Sequence, residues 1–190
     1  MGLTAVMRLK LAIKDGAEFI SPIIKTSSKW HDQLNRFWRR LDELCHLETS
    51  ERCGLHIHIS WGDMEHKFIE AKRMAEIILQ FQPTIDQNFP DQRRVNNQFC
   101  RSNNCHLTEL QRAKGLNQLI VTMSPARSYA WNFQMLKNHG TIENRQPPGQ
   151  VTSKGTKEWV RFVISFTHAS LTDGFDGGWI HGIDYKQGSG

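Results

Sequence analysis

Five residues constrain this chain more than any others: Leu55-His56-Ile57-His58-Ile59 alternates strictly between aliphatic and imidazole side chains. A pleated strand sends successive side chains to opposite faces. The three aliphatic residues therefore need a core, while the two histidines leave together from the other face, about 7 Å apart by strand rise. A strand of this kind belongs to a sheet covered on one face, the habit of antiparallel sheets.

The flanking sequence supplies the cover. Val6 to Ile13 alternates weakly, Asp15-Gly16 signals a turn, and the apolar run Ala17 to Ile24 breaks at Ser21-Pro22, so a hairpin ending or kinking at Pro22 is expected. From Trp30, the residues Leu34, Phe37, Trp38, Leu41 and Leu44 follow helical spacing, with Ser28 expected as the cap. Met64 to Phe81 carries Phe68, Ala71, Met74, Ala75, Ile78 and Leu79 on one side, and Pro83 is expected to stop that helix. Residues 87–106 are polar and read as a long excursion of the functional or disordered kind. Tyr129 to Leu136 and Thr141 to Arg145 read as strands joined by a hairpin turn at Lys137-Asn138-His139-Gly140. Pro147-Pro148-Gly149 breaks the chain, and Ser153 is expected to cap a helix from Lys154 to Ser170. The fold class is α+β: an antiparallel sheet with helices packed on one face, one domain over residues 1–171, and a Gly-rich tail over 172–190.

Composition excludes several classes. With 38% hydrophobic residues, ten Phe and six Trp in 190 residues, the chain has apolar surface enough for a core and is not a disordered tail. No apolar run reaches the roughly 20 residues of a membrane span, and the first residues carry no secretory pattern. Cys45, Cys53, Cys100 and Cys105 are irregularly spaced, so a reduced thiol set and a cytoplasmic location are expected. The net charge of +5 is scattered, with adjacent arginines only at Arg39-Arg40 and Arg93-Arg94, and no stripe with an aromatic platform marks nucleic acid.

Three groups offer chemistry. His56 and His58 can share a metal, or one can bind metal while the other meets a phosphate; the plainer alternative is a hydrogen-bonded pair on a half-buried sheet. Glu143 and Arg145 share a strand face, where they can hold a divalent cation beside a substrate anion, or form an ordinary salt bridge. Glu18 interrupts an apolar run, where a charge needs a partner, a metal or the surface. Together, two imidazoles, two carboxylates and a guanidinium on strand faces suit a Mg²⁺–phosphate site. Cys100 and Cys105, with four residues between them, have a spacing that zinc accepts, without a matching second pair.

These blocks resemble a known family. Cys53-Gly-Leu-His-Ile-His-Ile-Ser-Trp61 is similar to the Gly-hydrophobic-His-Val-His strand of glutamine synthetase-like carboxylate–amine ligases, and Gly140-Thr-Ile-Glu-Asn-Arg-Gln-Pro-Pro148 to their Glu-x-Arg strand. The fungal amidoligase family of that superfamily shows further counterparts to Glu18-Phe-Ile-Ser-Pro22, to a helix ending before Arg93-Arg94, to Trp131-Asn132-Phe133 and to the helix Trp159 to Ser170. They occur in family order over roughly residues 15 to 171. The resemblance implies an enzyme of biosynthesis with a glutamine synthetase-like domain, joining a small carboxylic acid to an amine through an acyl phosphate formed from ATP with Mg²⁺. It implies His56, Glu143 and Glu18 as metal ligands, and His56, His58, Glu143 and Arg145 as the catalytic set. His58, Arg93, Arg94 and Asn132 would bind the nucleotide.

The family's earlier Glu-x-Glu strand has no counterpart, since Met1 to Ala17 contains no Glu. A fragment, a shortened gene model, or a member with a reduced nucleotide site is expected from that. Two other readings follow. One keeps the cleft without ATP, as a cyclase, hydrolyase or isomerase acting on a small apolar metabolite with His/Glu acid–base chemistry. The other is a non-catalytic zinc or nucleic-acid binding module built on Cys100, Cys105, His106 and the Arg-rich stretch 93–101. A shortened sheet also leaves an edge on which a homo-oligomer can form.

Overall fold

The structure, a computed structural model, describes residues 6–12 (as backbone), 18–61, 67–94 and 97–172. In chain order the elements are β1 (Val6–Ala12), β2 (Glu18–Ile20), β3 (Ile24–Lys25), α1 (Trp30–Leu44), β4 (Leu55–Ile59) and α2 (Lys67–Gln87). A 3-10 turn (Asp91–Arg93) follows, then α3 (Leu107–Arg112), α4 (Leu116–Met123), β5 (Trp131–Asn132), α5 (Met135–His139), β6 (Ile142–Asn144) and α6 (Ser153–Leu171). The sheet order is β2-β1-β4-β6-β5, with β3 paired to β1 as well, and every described ladder is antiparallel. This is the expected α+β class.

The alternating pentapeptide becomes β4, the middle strand of that order. Leu55, Ile57 and Ile59 are fully buried, and α6 lies against them with α1 and α2 at its flanks. Trp131 on β5 stacks on Phe166 of α6 at 5.1 Å, and Phe89 stacks on Trp159 at 4.5 Å. The helices thus seal one face of the sheet, as amphipathic spacing in α1 and α6 requires: Trp30, Leu34, Trp38 and Leu41 are the buried residues of α1.

Local chemistry differs from expectation at four places. Ser28 does not cap α1; its hydroxyl donates to the Lys25 carbonyl at 2.6 Å, and Lys29 occupies the cap position. Pro83 does not stop α2, which continues to Gln87. Pro83 is exposed, while Ile85 and Asp86 beyond it are buried, so tertiary burial outweighs the lost bond. The expected strand Tyr129 to Leu136 contracts to Trp131-Asn132, and its connection to β6 is the short helix α5. Gly140, at φ 63°, closes it by donating its N–H to the Leu136 carbonyl at 3.2 Å. The cap of α6 is Thr152, whose hydroxyl accepts from Gly155 N, rather than Ser153. The polar excursion after α2 is packed: Arg93, Cys100 and Asn103 are buried, and Asn103 spans from Met123 O to Trp131 O. The Asp15-Gly16 turn and the tail beyond Thr172 lie outside the described residues.

Candidate active site

Strand register assembles the site on the face opposite the helices. His58 pairs with Glu143 across β4 and β6, and Glu143 with Asn132 across β6 and β5. His56 follows on the same face by alternation, and Arg145 follows Glu143. Three groups converge on one oxygen: Glu143 Oε1 lies 2.8 Å from Arg145 Nη1, 3.1 Å from His56 Nδ1 and 3.6 Å from His58 Nε2. Asn132 Nδ2 donates to the other oxygen, Oε2, at 2.8 Å. The carboxylate can only accept, so its contact with His56 Nδ1 is a hydrogen bond when that nitrogen carries the proton; Arg145 Nη1 lies 3.4 Å from the same nitrogen and can meet it only in the other tautomer. The other ring nitrogen of His58, Nδ1, lies 3.2 Å from Thr141 Oγ1.

Only 4% of the Glu143 side chain and 14% of each imidazole is exposed. Burial pushes the Glu143 carboxyl up, but the His56 hydrogen bond together with the charges of Arg145, His56 and His58 outweighs it and holds the group at about 2. Glu143 is therefore a fixed anion at neutral pH, with one oxygen clamped by an amide and the other facing three nitrogen groups.

A β-bulge aims Arg145. Ile57 pairs with Asn144, yet Gly54 bridges Pro148, so β4 advances three residues while its partner advances four. The extra residue falls in the stretch Arg145-Gln146-Pro147 and frees carbonyls from the ladder. Arg93, expected from the resemblance to bind nucleotide phosphate, is used there instead. Its Nε donates to Gln146 O at 3.0 Å, and its Nη2 donates to Arg145 O at 2.9 Å and Pro147 O at 3.0 Å. With 2% exposure it is closed to a phosphate. Gly54 gives it room: a Cβ there would stand 2.5 Å from Arg93 Nη2. Gln146 continues the brace, donating from Nε2 to Arg93 O at 3.2 Å and to buried Asp86 at 2.6 Å.

The remaining expected residues are placed as follows. Glu18 shares the site's face, but its pairing with Ala12 puts it two strands from β4 and past His56, roughly 12 Å away by strand spacing, so the structure does not bring it to the cluster. Arg94 is committed to its own loop, bonding Asp91, Phe89 O and Gln87 O. Asn132 orients Glu143 rather than facing open space: it is fully buried, and its Oδ1 accepts from Gln134 N. Cys100 and Cys105 hold no metal set; burial raises both thiols, Cys100 Sγ points to Arg93 O and Cys105 Sγ to Met123 Sδ. Among the described residues, no three His, Cys, Asp or Glu side chains are grouped so as to hold a metal ion.

Sequence reading missed Thr141 and Ser60. Both stand on the faces already singled out, two residues from Glu143 and from His58, and alternation alone would have found them. Ser60 Oγ donates to Gly140 O and receives Lys67 Nζ at 3.1 Å, while buried Lys67 also donates to Trp61 O and lies 4.7 Å over the Trp61 ring. The bulge and its Gly54–Arg93 filling carried no local signal.

Cavities flank the sheet among the described residues. An apolar one of about 380 Å³ lies between the β2–β3 segment and α1, lined by Phe19, Ile24, Leu34 and Trp38, on the helical side and away from the cluster. A polar one of about 680 Å³ lies beyond the Gly54 end of β4, between the turn at Glu51-Arg52 and the residues Asp91, Gln92, Arg94 and Asn97 to Phe99. No described helix is long and apolar enough to cross a membrane. A family model described as "Putative amidoligase enzyme" matches residues 8–167. No curated protein and no solved structure gives a significant match.

Proposed function

The chain belongs to the amidoligase family, and from that premise we propose that it joins a substrate carboxylate to an amine by way of an ATP-derived acyl phosphate. In this reaction a carboxylate oxygen of the acid takes the γ-phosphoryl group and ADP leaves. The amine nitrogen then attacks the acyl carbon, and the C–O bond to phosphate breaks. The observation that carries the reading is the convergence of Arg145, His56 and His58 on one oxygen of an ionised, buried Glu143.

Phosphoryl transfer asks a protein mainly to position its reactants and to neutralise charge. Arg145 and His58 supply donors for phosphate or carboxylate oxygens, and Asn132 keeps Glu143 turned toward them. Mg²⁺ in such sites is held by one or two carboxylates together with phosphates and water; the carboxylate here would be Glu143, and a cation reaching its Oε1 would displace the Arg145 or His56 donor that now meets it. Glu143 and His56 would hold it, and when bound it supplies neutralisation of phosphate charge. Glu18 is left out of this set on distance.

The test is titration of the protein with Mg²⁺ and a non-hydrolysable ATP analogue, followed calorimetrically. Saturable, metal-dependent binding is expected, and His56→Ala and Glu143→Ala should each abolish the metal dependence while the protein stays folded. A folded protein that binds no nucleotide with or without Mg²⁺ refutes the proposal.

A further inference from the structure

Glu18 does not reach the Glu143 cluster, and the segment it opens walls a cavity instead. Glu18 and Phe19 leave β2 on opposite faces, and the pairing of Phe19 with Leu11, and of Leu11 with Leu55, gives Phe19 the helical one. Its ring meets Phe37 of α1 edge-on at 5.7 Å, and Phe37 meets Trp38 in the same way at 5.7 Å. Between this aromatic wall and the chain from Ile20 to Ile24 lies the apolar cavity of about 380 Å³. Its size falls in the range of small-ligand sites, about 300–1,000 Å³. None of its lining residues belongs to the cluster, which occupies the other face of the sheet, so the two sites are separate.

The lining grades from an apolar floor to a mixed rim. Ile24, Leu34 and Trp38 are buried, whereas Ile20 and Ile23 keep 52% and 73% exposure, apolar area that an apolar occupant would take from water. Gln33 and Arg36, exposed and three residues apart on α1, line the same cavity on neighbouring positions of the helix surface. Among the described residues Arg36 is the one charged group of the lining, and no described carboxylate pairs with it. One guanidinium beside one carboxamide suits a planar monoanion, whose two oxygens meet the fork of N–H donors together. An ammonium would find no carboxylate in this lining, and a phosphate dianion would keep one charge unmatched. Trp38 adds a reporter: its indole N–H is buried with no acceptor among the described residues.

We infer that this cavity is a second binding site, for a monocarboxylic acid with an apolar body. Arg36 and Gln33 hold the carboxylate at the rim. The body lies between the Phe19, Phe37 and Trp38 rings and the Ile20 to Ile24 segment, where it covers Ile20 and Ile23. No nucleotide, metal or cluster residue takes part, so the site stands apart from the ligase reading.

The test titrates the full-length chain with decanoate, decanol and decylamine, without nucleotide or metal, and follows the assigned indole N–H signals of the six tryptophans by heteronuclear NMR. Decanoate is expected to bind about tenfold or more tighter than decanol or decylamine, as a charge-assisted bond provides, and to shift the Trp38 signal. Arg36→Met should weaken decanoate by about tenfold and leave decanol unchanged. Arg36 is on the surface, so this variant keeps the fold. Failure of decanoate to bind, decanol or decylamine bound as tightly, parental decanoate affinity in Arg36→Met, or a Trp38 signal unmoved at saturation overturns the inference.

Discussion

Replacing Arg93 by Met removes the guanidinium from the bulge while leaving much of the aliphatic stem. Three charge-assisted hydrogen bonds to Gln146, Arg145 and Pro147 carbonyls go with it. Pro147 O keeps a second partner, since Leu55 N donates to it at 3.0 Å, so two carbonyls are left to satisfy. Each buried carbonyl left unpaired costs about 1–3 kcal/mol. The burial of the cation itself, which pulls the Arg93 guanidinium below its ordinary value, returns part of that sum when the charge is removed. A net loss of about 2–4 kcal/mol is expected, read as a lower urea midpoint at unchanged slope. Gly54→Ala approaches the same contact from the other side. Its Cβ would stand 2.5 Å from Nη2, and the guanidinium, although at the end of a long side chain, is pinned by three acceptors and has no open direction in which to retreat. A cost of about 1–3 kcal/mol follows from that overpacking. The two losses should be non-additive, because the Met variant removes the atom with which the Ala methyl collides. Additive losses, or a loss under about 0.5 kcal/mol in Arg93→Met, refute the account of the bulge.

Acid should expose the Glu143 network. Its folded-state carboxyl lies at about 2, below the ordinary 4.5, so it stabilises the fold fully above the unfolded value and loses that contribution as pH falls from about 5 toward 2. The loss is on the order of 3 kcal/mol, and a Glu143→Gln variant with the same acid-unfolding slope as the parent contradicts it. Pro83→Ala restores an N–H facing Leu79 O on the exposed side of α2 and should raise stability by about 1–2 kcal/mol in urea unfolding; a lower midpoint would mean that the ring itself packs. Phe166→Ala empties the stack on Trp131 and should cost about 3–5 kcal/mol, with a change in the near-ultraviolet dichroism of the tryptophans. An unchanged near-ultraviolet spectrum would remove that packing argument.

Much of the site was legible because strand alternation is a covalent regularity. His56 with His58, and Glu143 with Arg145, are two apart in the sequence, and the pleat alone puts each pair on one face. The resemblance ordered these strands along the chain, and the match to the amidoligase family extends over residues 8–167. The helices α1 and α6 were legible from their apolar spacing. Helices α3 and α4 were not read, being short and of mixed composition. The excursion after α2 looked unstructured because its order depends on partners distant in sequence: Asp86 with Ser102 and Gln146, Arg93 with residues 145–147.

Arg93 shows most clearly where sequence reading ends. A basic pair near the end of a helix carries the same residue code whether it meets a phosphate or three carbonyls, and only the one-residue slip between β4 and the segment that follows β6 decides between them. Register also separates Glu18 from the cluster while admitting Thr141 and Asn132. The sequence by itself determined which side chains share a strand face, since that follows from backbone geometry two residues at a time. The tertiary structure alone decided which strands stand side by side, where the ladder slips, and which polar groups are spent on the backbone. Those outcomes depend on burial and hydrogen-bond satisfaction summed over residues that local sequence cannot connect.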